Sequence, residues 1–358
     1  MNQLLMIDIG AGTLDLLYYN ARSGEHFKAV APSPVRHIAQ QIEATTGPLA
    51  VTGVEMGGGP VTDALRRRAQ VCEVVISPSA AATLHHDPQR VRSWGITIAD
   101  ERQVEHLSAE PRFTAVCLGD VQPGRIGRVL EGLGLPMSFA AVALCAQDHG
   151  VAPPGVSHLD FRHHLYKEML DRDPTPYNLL FRGDAVPEAF SRLRSMALAA
   201  RQLNAREVYV MDSGMAAMAG ASQDAQANGR TPVIVLDIAT SHTVIAVLEA
   251  GQVAAYVEYH TRDITGERLE KLIVDLAEGR LQHEQILAEG GHGAYMRRKI
   301  GFANIQAIIV TGPKRRLMAG TRLPVTWGAP WGDNMMTGTV GLLECLRRRL
   351  GMAPIAYM

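Results

Sequence analysis

Two aspartates lie far apart in the chain, and each ends an apolar run that leads into a turn of small residues. The runs are Ile7-Asp8-Ile9-Gly10-Ala11-Gly12-Thr13 and Leu236-Asp237-Ile238-Ala239-Thr240-Ser241-His242. A buried strand that ends in Asp and doubles back through small residues brings backbone N–H groups and a carboxylate to one tight corner. Those N–H groups can hold phosphoryl oxygens, and the carboxylate can hold the hydrated Mg2+ that travels with them. Two such corners facing each other across a cleft would grip a triphosphate from both sides. A strand ending in Val-Thr-Gly follows each of them, at residues 49–53 and 307–312. Residues 4–30 and 233–259 therefore read as one fold fragment used twice.

Other positions carry chemistry of their own. Met56-Gly57-Gly58-Gly59-Pro60 stands between a strand and a helix start, an order that makes an anion nest with free N–H groups aimed outward. Two strand-like runs end in polar turns, Leu118-Gly119-Asp120 and Cys145-Ala146-Gln147-Asp148-His149-Gly150, where α/β folds place their functional groups. Asp120 and Asp148 are candidate bases toward an acceptor hydroxyl, with His149 as a neighbour, and turn capping is the alternative for both. His85-His86-Asp87, Asp148-His149 and His163-His164 could offer metal ligands, but adjacent His pairs usually cannot turn onto one ion. The 13 histidines otherwise look scattered.

The elements that must position these groups follow from periodicity. Strands at about 3–9, 14–20 and 26–30 form a meander, followed by a helix at 34–44 and a strand at 49–54. A helix over 61–69 and a strand at 71–76 come next. Residues of about 80–185 fall outside the repeat and read as an insertion with its own strands, and 171–187 reads as a connecting loop. A helix at 187–203 leads to a strand at 207–211 and then to Asp212-Ser213-Gly214-Met215-Ala216-Ala217-Met218-Ala219-Gly220. Small side chains there permit close backbone approach, which suits a crossing between two domains. Thr265-Gly266-Glu267 opens a helix to about 278 with Leu269, Leu272, Ile273 and Leu276 on one face. A helical stretch before Gly290, a strand at 307–311 and a terminal helix at about 337–350 complete the chain. The expected division is a first domain over 1–190, including the insertion, and a second over 191–358.

Composition narrows the function classes. The chain has 358 residues, 47% of them apolar and 20% charged, with a net charge of -1. That length holds two or three domains. A nucleic-acid binder would carry a basic surplus; the clusters Arg66-Arg67-Arg68, Lys314-Arg315-Arg316 and Arg347-Arg348-Arg349 sit at helix ends and read as solvated faces. No apolar run approaches the roughly 20 residues of a spanning helix, and the chain enters a strand without a charged lead, so the expectation is a cytoplasmic protein with no membrane partner. Cys72, Cys117, Cys145 and Cys345 show no CxxC pairing and are expected as buried reduced thiols, which speaks against an iron-sulfur cluster or a structural zinc site.

Read in order, the motifs resemble the superfamily of actin, Hsp70 and sugar kinases. Asp8 to Thr13 is similar to its first phosphate motif, 212–220 to its first connecting motif and 237–243 to its second phosphate motif. Val310-Thr311-Gly312-Pro313 is similar to the adenosine motif and 333–342 to the second connecting helix. The resemblance implies an α/β actin-like ATPase fold, with two duplicated ribonuclease H-like domains flanking a nucleotide cleft and an insertion in the first half. It also implies that Asp8 and Asp237 position Mg2+ through water, that Gly10, Gly12 and Thr13 contact phosphates, and that Asp212 orients a water or hydroxyl. Thr311 and Gly312 would lie against adenosine, and the Thr240 and Ser241 hydroxyls would replace contacts that glycines usually provide. The strings 52–60 and 146–150 resemble a bacterial and archaeal family labelled as related to pyruvate formate-lyase activating enzyme. A radical-SAM enzyme of that kind needs three closely spaced cysteines to hold its cluster, and this chain has no such trio.

Three functions compete at this point. The first is a Mg-dependent ATPase of the activator or reactivase kind that acts on a partner enzyme. The second is a small-molecule kinase whose insertion supplies the acceptor pocket. The third is a non-catalytic binding protein whose second phosphate turn has degenerated.

Overall fold

The run from Leu4 to Ile9 is apolar at every position but Asp8, and a strand so patterned belongs in the middle of a sheet. The structure is a computed structural model that describes residues 2–153 and 155–357. In it Gln3–Ile9 pairs antiparallel with Thr13–Asn20, which pairs antiparallel with His26–Pro32. On its other side Gln3–Ile9 runs parallel to Phe139–Ala146, then comes parallel Ala205–Asp212, and Phe181–Arg182 closes the edge. The second half repeats the order. Val233–Ile238 is central, with His242–Glu249 and Gln252–His260 antiparallel on one side and Ala307–Thr311 parallel on the other. Ala294–Met296 and Val325–Trp327 are its edges. Two sheets of this order, each with an aspartate on its central strand, make the actin-like fold that the motif order implied.

A third, four-stranded sheet is wholly parallel, in the order Thr97–Ile98, Val74–Ile76, Leu49–Gly53, Thr114–Leu118. This corrects the expected repeat unit: Leu49–Gly53 does not join the first duplicated sheet. The strand placed beside Gln3–Ile9, as Ala307–Thr311 is placed beside Val233–Ile238, is Phe139–Ala146. Both strands are short apolar runs, and local sequence does not say which sheet a run enters. The inserted sheet thus lies between His26–Pro32 and Phe139–Ala146, whereas the span of about 80–185 mixes inserted strands with one from the duplicated sheet.

The helix His158–Arg172 falls in a stretch that the periodicity left without one. It buries Arg162, His163, Tyr166 and Leu170, so half of its inward positions are polar and the apolar stripe is broken. Cys145 and Cys345 are buried as expected, but Cys72 is half-buried and Cys117 is exposed. Among the described residues no helix is long and apolar enough to cross a membrane.

Two helices run between the duplicated halves, Ser213–Ala221 and Thr337–Arg349. Their residues share one core with strands of both sheets, including Leu5, Leu144, Val235 and Ile309. The helices meet backbone to backbone. A Cβ added at Gly220 would lie 1.8 Å from the Thr337 carbonyl oxygen, and one at Gly341 would lie 1.9 Å from that of Ala216. The crossing expected from the small residues at 212–220 is therefore present, and it is made by glycines on both helices.

Candidate functional site between the duplicated halves

Both hairpin turns open into one cavity of about 730 Å3. Each turn is closed by the same bond: Gly10 N–H donates to the Thr13 carbonyl at 3.0 Å, and Ala239 N–H donates to the His242 carbonyl at 3.0 Å. Among the described residues, the two amides at each tip, of Ala11 and Gly12 and of Thr240 and Ser241, donate no hydrogen bond within the protein. Neither Gly10 nor Gly12 has positive φ, and neither do Ala239, Thr240 and Ser241. The second turn therefore keeps the donor frame of the first without glycine, because the backbone conformation never required it. What Gly12 supplies is room: a Cβ there would meet Thr240 Oγ1 at 2.9 Å, so the two turns touch.

Carboxylates gather beneath the turns. Asp8 stands opposite Asp15 across the first hairpin. Burial, and then the charges of Asp237 and Asp212, push the Asp8 carboxyl up to about 7, while a bond from Cys145 opposes this. Burial and the charge of Asp8 push Asp15 to about 8. Burial raises Asp237 to about 6 against the Thr311 hydroxyl, which donates to it at 2.9 Å. No Lys or Arg pairs with any of the three among the described residues, and Asp15 Oδ1 is buried with no hydrogen-bond partner. Asp15 is buried and Asp8 and Asp237 are half-buried at the cavity wall, and carboxylate oxygens without a cationic partner are ligands of the kind Mg2+ takes. Asp8, Asp15 and Asp237 would hold such an ion through its water shell, and it would neutralise phosphate charge when bound.

The cavity's other wall holds the glycine run. Gly57, Gly58 and Gly59 line it at the start of the helix Pro60–Ala69. The nest is partly filled from within, since Gly57 N–H donates to Asp120 Oδ1 at 3.2 Å. Asp120 is clamped by Arg192 through bonds of 2.8 and 2.9 Å and does not line the cavity. Asp148 does line it, but its two oxygens accept the amides of Gly150 at 2.8 Å and Leu193 at 3.0 Å. Burial nevertheless pushes its carboxyl up to about 6.

Behind this wall Arg162 ties three elements together. It donates to both oxygens of Asp212 at 3.0 and 2.9 Å, to Glu258 at 2.6 Å and to the Asp148 carbonyl at 3.0 Å. Burial is the largest influence and works against ionisation of Glu258, but the Arg162 guanidinium together with His292 and His242 outweighs it and holds the carboxyl well below the usual range. Burial also lowers His149 to about 3 and His242 to about 2, so both imidazoles are neutral.

Of the residues singled out from the sequence, Asp8, Gly10, Thr13, Gly57, Gly58, Gly59, Asp148, Asp237, Thr240, Ser241 and Gly312 all line the cavity. Gly12 sits where the turns meet, Thr311 is buried against Asp237, and Asp212 lies outside the lining, held by Arg162 while capping the helix Ser213–Ala221. Sequence reasoning missed Asp15, Asn334, Glu258 and the cleft histidines His242 and His260. Asp15 left a signal, because strand alternation places it on the same face as Thr13. His85 and His86 reach the cavity as well, but through separate partners: His86 bonds Glu55 at 2.9 Å.

These features define a protein of actin-like fold with a cleft between its duplicated halves. Within that class the chain belongs to the family described as "Putative pyruvate format-lyase activating enzyme (DUF1786)", whose profile matches residues 56–317. No curated protein matches the chain. Among solved structures it is similar to the ethanolamine utilization protein EutJ from Carboxydothermus hydrogenoformans, at 12% identity over 94% of this chain and 88% of that one, with a TM-score of 0.35. It is also similar to an exopolyphosphatase from Cytophaga hutchinsonii, at 8% identity over 75% of this chain and 53% of that one, with a TM-score of 0.28. At such distances the fold assignment rests on the sheet order and not on these neighbours.

Proposed function

We propose that the cleft binds a Mg2+-nucleoside triphosphate, ATP in the first instance, and that the protein is an ATPase whose two halves move against each other to act on a partner enzyme. The observation that carries this reading is the pair of turns with two unbonded amides each, facing one cavity lined by Asp8, Asp15 and Asp237, none of which has a Lys or Arg partner among the described residues. Four free donors suit phosphoryl oxygens, and the three carboxylates suit the accompanying ion. The close helix crossing at Gly220 and Gly341 offers an axis for motion between the halves. A small-molecule kinase on the same scaffold would use Asp148 as base, but both of its oxygens already accept backbone amides, which favours the ATPase. The family's descriptive name is not carried over, because a radical-SAM cluster needs a cysteine trio.

Calorimetry with Mg-ATP tests the reading. Wild-type protein should bind with Mg2+ present and weakly without it, and Asp8→Ala and Asp237→Ala should each lose at least about tenfold in affinity, or roughly 1.4 kcal/mol. Wild-type protein that takes up no nucleotide with any divalent ion would end it.

A further inference from the structure

Four histidines that are dispersed in the sequence converge on one side of the cleft. His242 and His260 are cross-strand partners at the ends of their strands. His292 precedes the adjoining strand Ala294–Met296, and its amide donates to the Glu258 carbonyl at 2.8 Å. His149 arrives from the other half, in the turn after Phe139–Ala146. Ring centroids lie 5.0 Å apart for His242 and His292, and 6.0 Å apart for His149 with either of them. The His260 ring stands edge-on to His292 at 4.4 Å.

His149, His242 and His292 each offer a ring nitrogen within 4.8 Å of the other two. His292 is 3% exposed, and neither of its ring nitrogens has a hydrogen-bond partner. His242 Nε2 is also buried and unpartnered. Buried polar atoms in native folds almost always find a partner, so a convergence of orphans marks a missing occupant. One second nitrogen is braced by a hydrogen bond and another faces a carboxylate at ion-pair distance. His242 Nδ1 lies 2.9 Å from Ser241 Oγ, and His292 Nδ1 lies 3.6 Å from Glu258 Oε1, with Glu258 locked by Arg162. A ligating histidine commonly has its second nitrogen oriented by a hydroxyl or carboxylate in this way.

We propose that His149, His242 and His292 form a site for a divalent transition-metal ion of the zinc class, with a fourth position open to the cleft. Imidazole selects zinc and its neighbours, whereas the oxygen ligands at Asp8, Asp15 and Asp237 select magnesium, so the two sites take different ions. Zn–N bonds of about 2.0–2.1 Å place tetrahedral ligand nitrogens roughly 3.4 Å apart, so loading draws the three inward. One of the ligands belongs to the first half and two to the second, and a bound ion therefore ties the halves together. Three protein ligands leave a position from which the ion polarises a phosphoryl or carbonyl oxygen or binds water. In the other cluster that could take a metal, Asp160, His164 and His283, two of the ring nitrogens are already bonded within the cluster, His283 Nε2 to Asp160 Oδ1 at 2.7 Å and His164 Nδ1 to the Asp160 carbonyl at 2.8 Å, although His283 Nδ1 is buried without a partner.

The test uses the full chain without an affinity tag, stripped with chelator and titrated with Co2+ and then Zn2+ in the absence of nucleotide. One Co2+ per chain should bind, giving the visible d–d absorption of a four- or five-coordinate nitrogen site, and Zn2+ should displace it. His149→Ala and His242→Asn should each weaken binding about a hundredfold, and Ser241→Ala about tenfold. Asp8→Asn should leave the spectrum unchanged, so that failure of nucleotide binding and failure of this site are read separately. Circular dichroism on each variant confirms folding, and because His149 borders the cavity its truncation spares the core. Wild-type protein without such absorption would overturn the proposal, as would binding that survives in the His149→Ala, His242→Asn double variant or is lost instead in His283→Ala.

Discussion

Gly341→Ala tests whether the two axial helices touch through their backbones. A Cβ at this position would lie 1.9 Å from the Ala216 carbonyl oxygen and 2.8 Å from both the Ala216 carbonyl carbon and the Gly220 nitrogen. A carbon needs about 3.3 Å from such an oxygen, so the helices would have to separate by roughly 1.4 Å. All three of these neighbours are backbone atoms, and none can rotate away. Overpacking of this kind costs about 1–3 kcal/mol or more, while alanine recovers about 1 kcal/mol of helix propensity over glycine. Because the overlap is deep and rigid, the upper part of that range applies and the net loss is about 2 kcal/mol. For a chain of this length that corresponds to a fall in Tm of about 3 °C. The helix also carries Thr337 and Gly338 at the cavity wall, where Gly338 abuts Asp8, so stabilisation by Mg-ATP should shrink as well. Urea and thermal unfolding with and without Mg-ATP measure both effects. Gly124→Ala, whose Cβ would meet nothing within 4 Å, serves as a control and should be neutral or stabilising. A Gly341→Ala protein as stable as wild type would refute the reasoning, since propensity alone would then decide.

Two further outcomes are expected. Arg162→Met leaves Asp212 and Glu258 buried without their cation and should cost about 3–5 kcal/mol in urea unfolding, partly recovered when Glu258→Gln is added; a loss under about 1 kcal/mol would count against the network. Burial opposes ionisation of Glu344, but hydrogen bonds from Arg347 and Arg348 prevail and hold its carboxyl below the ordinary value. A carboxyl depressed in the folded state contributes stability above its unfolded pKa and loses it as pH falls through the folded one. Wild-type stability should therefore drop on the acid side of the usual glutamate range, and Glu344→Gln should flatten that limb by about 1–2 kcal/mol; identical acid limbs would dismiss the idea.

Much of the fold was legible because its elements are locally consistent. Gln3–Ile9 and Val233–Ile238 are apolar strands that end in Asp and small residues, and the Thr265 cap, the leucine stripe and the residues of the terminal helix announce helices directly. The helix His158–Arg172 was not legible, since it buries Arg162 and His163 where an apolar stripe is expected. Leu49–Gly53 was legible as a strand but not in its placement, because a parallel pairing leaves no local mark on either partner.

The sequence by itself determined the two aspartate hairpins, their small-residue tips and the glycine-bearing helix crossing, since these follow from residue type and short-range spacing. Only the tertiary structure decided that Ala239, Thr240 and Ser241 hold the same donor frame as the glycine turn, because backbone torsion is not read from composition. It also decided that Asp15 joins Asp8 and Asp237, and that His149, His242 and His292 meet. Those contacts are made between strands and between halves, where distance along the chain says nothing about distance in space.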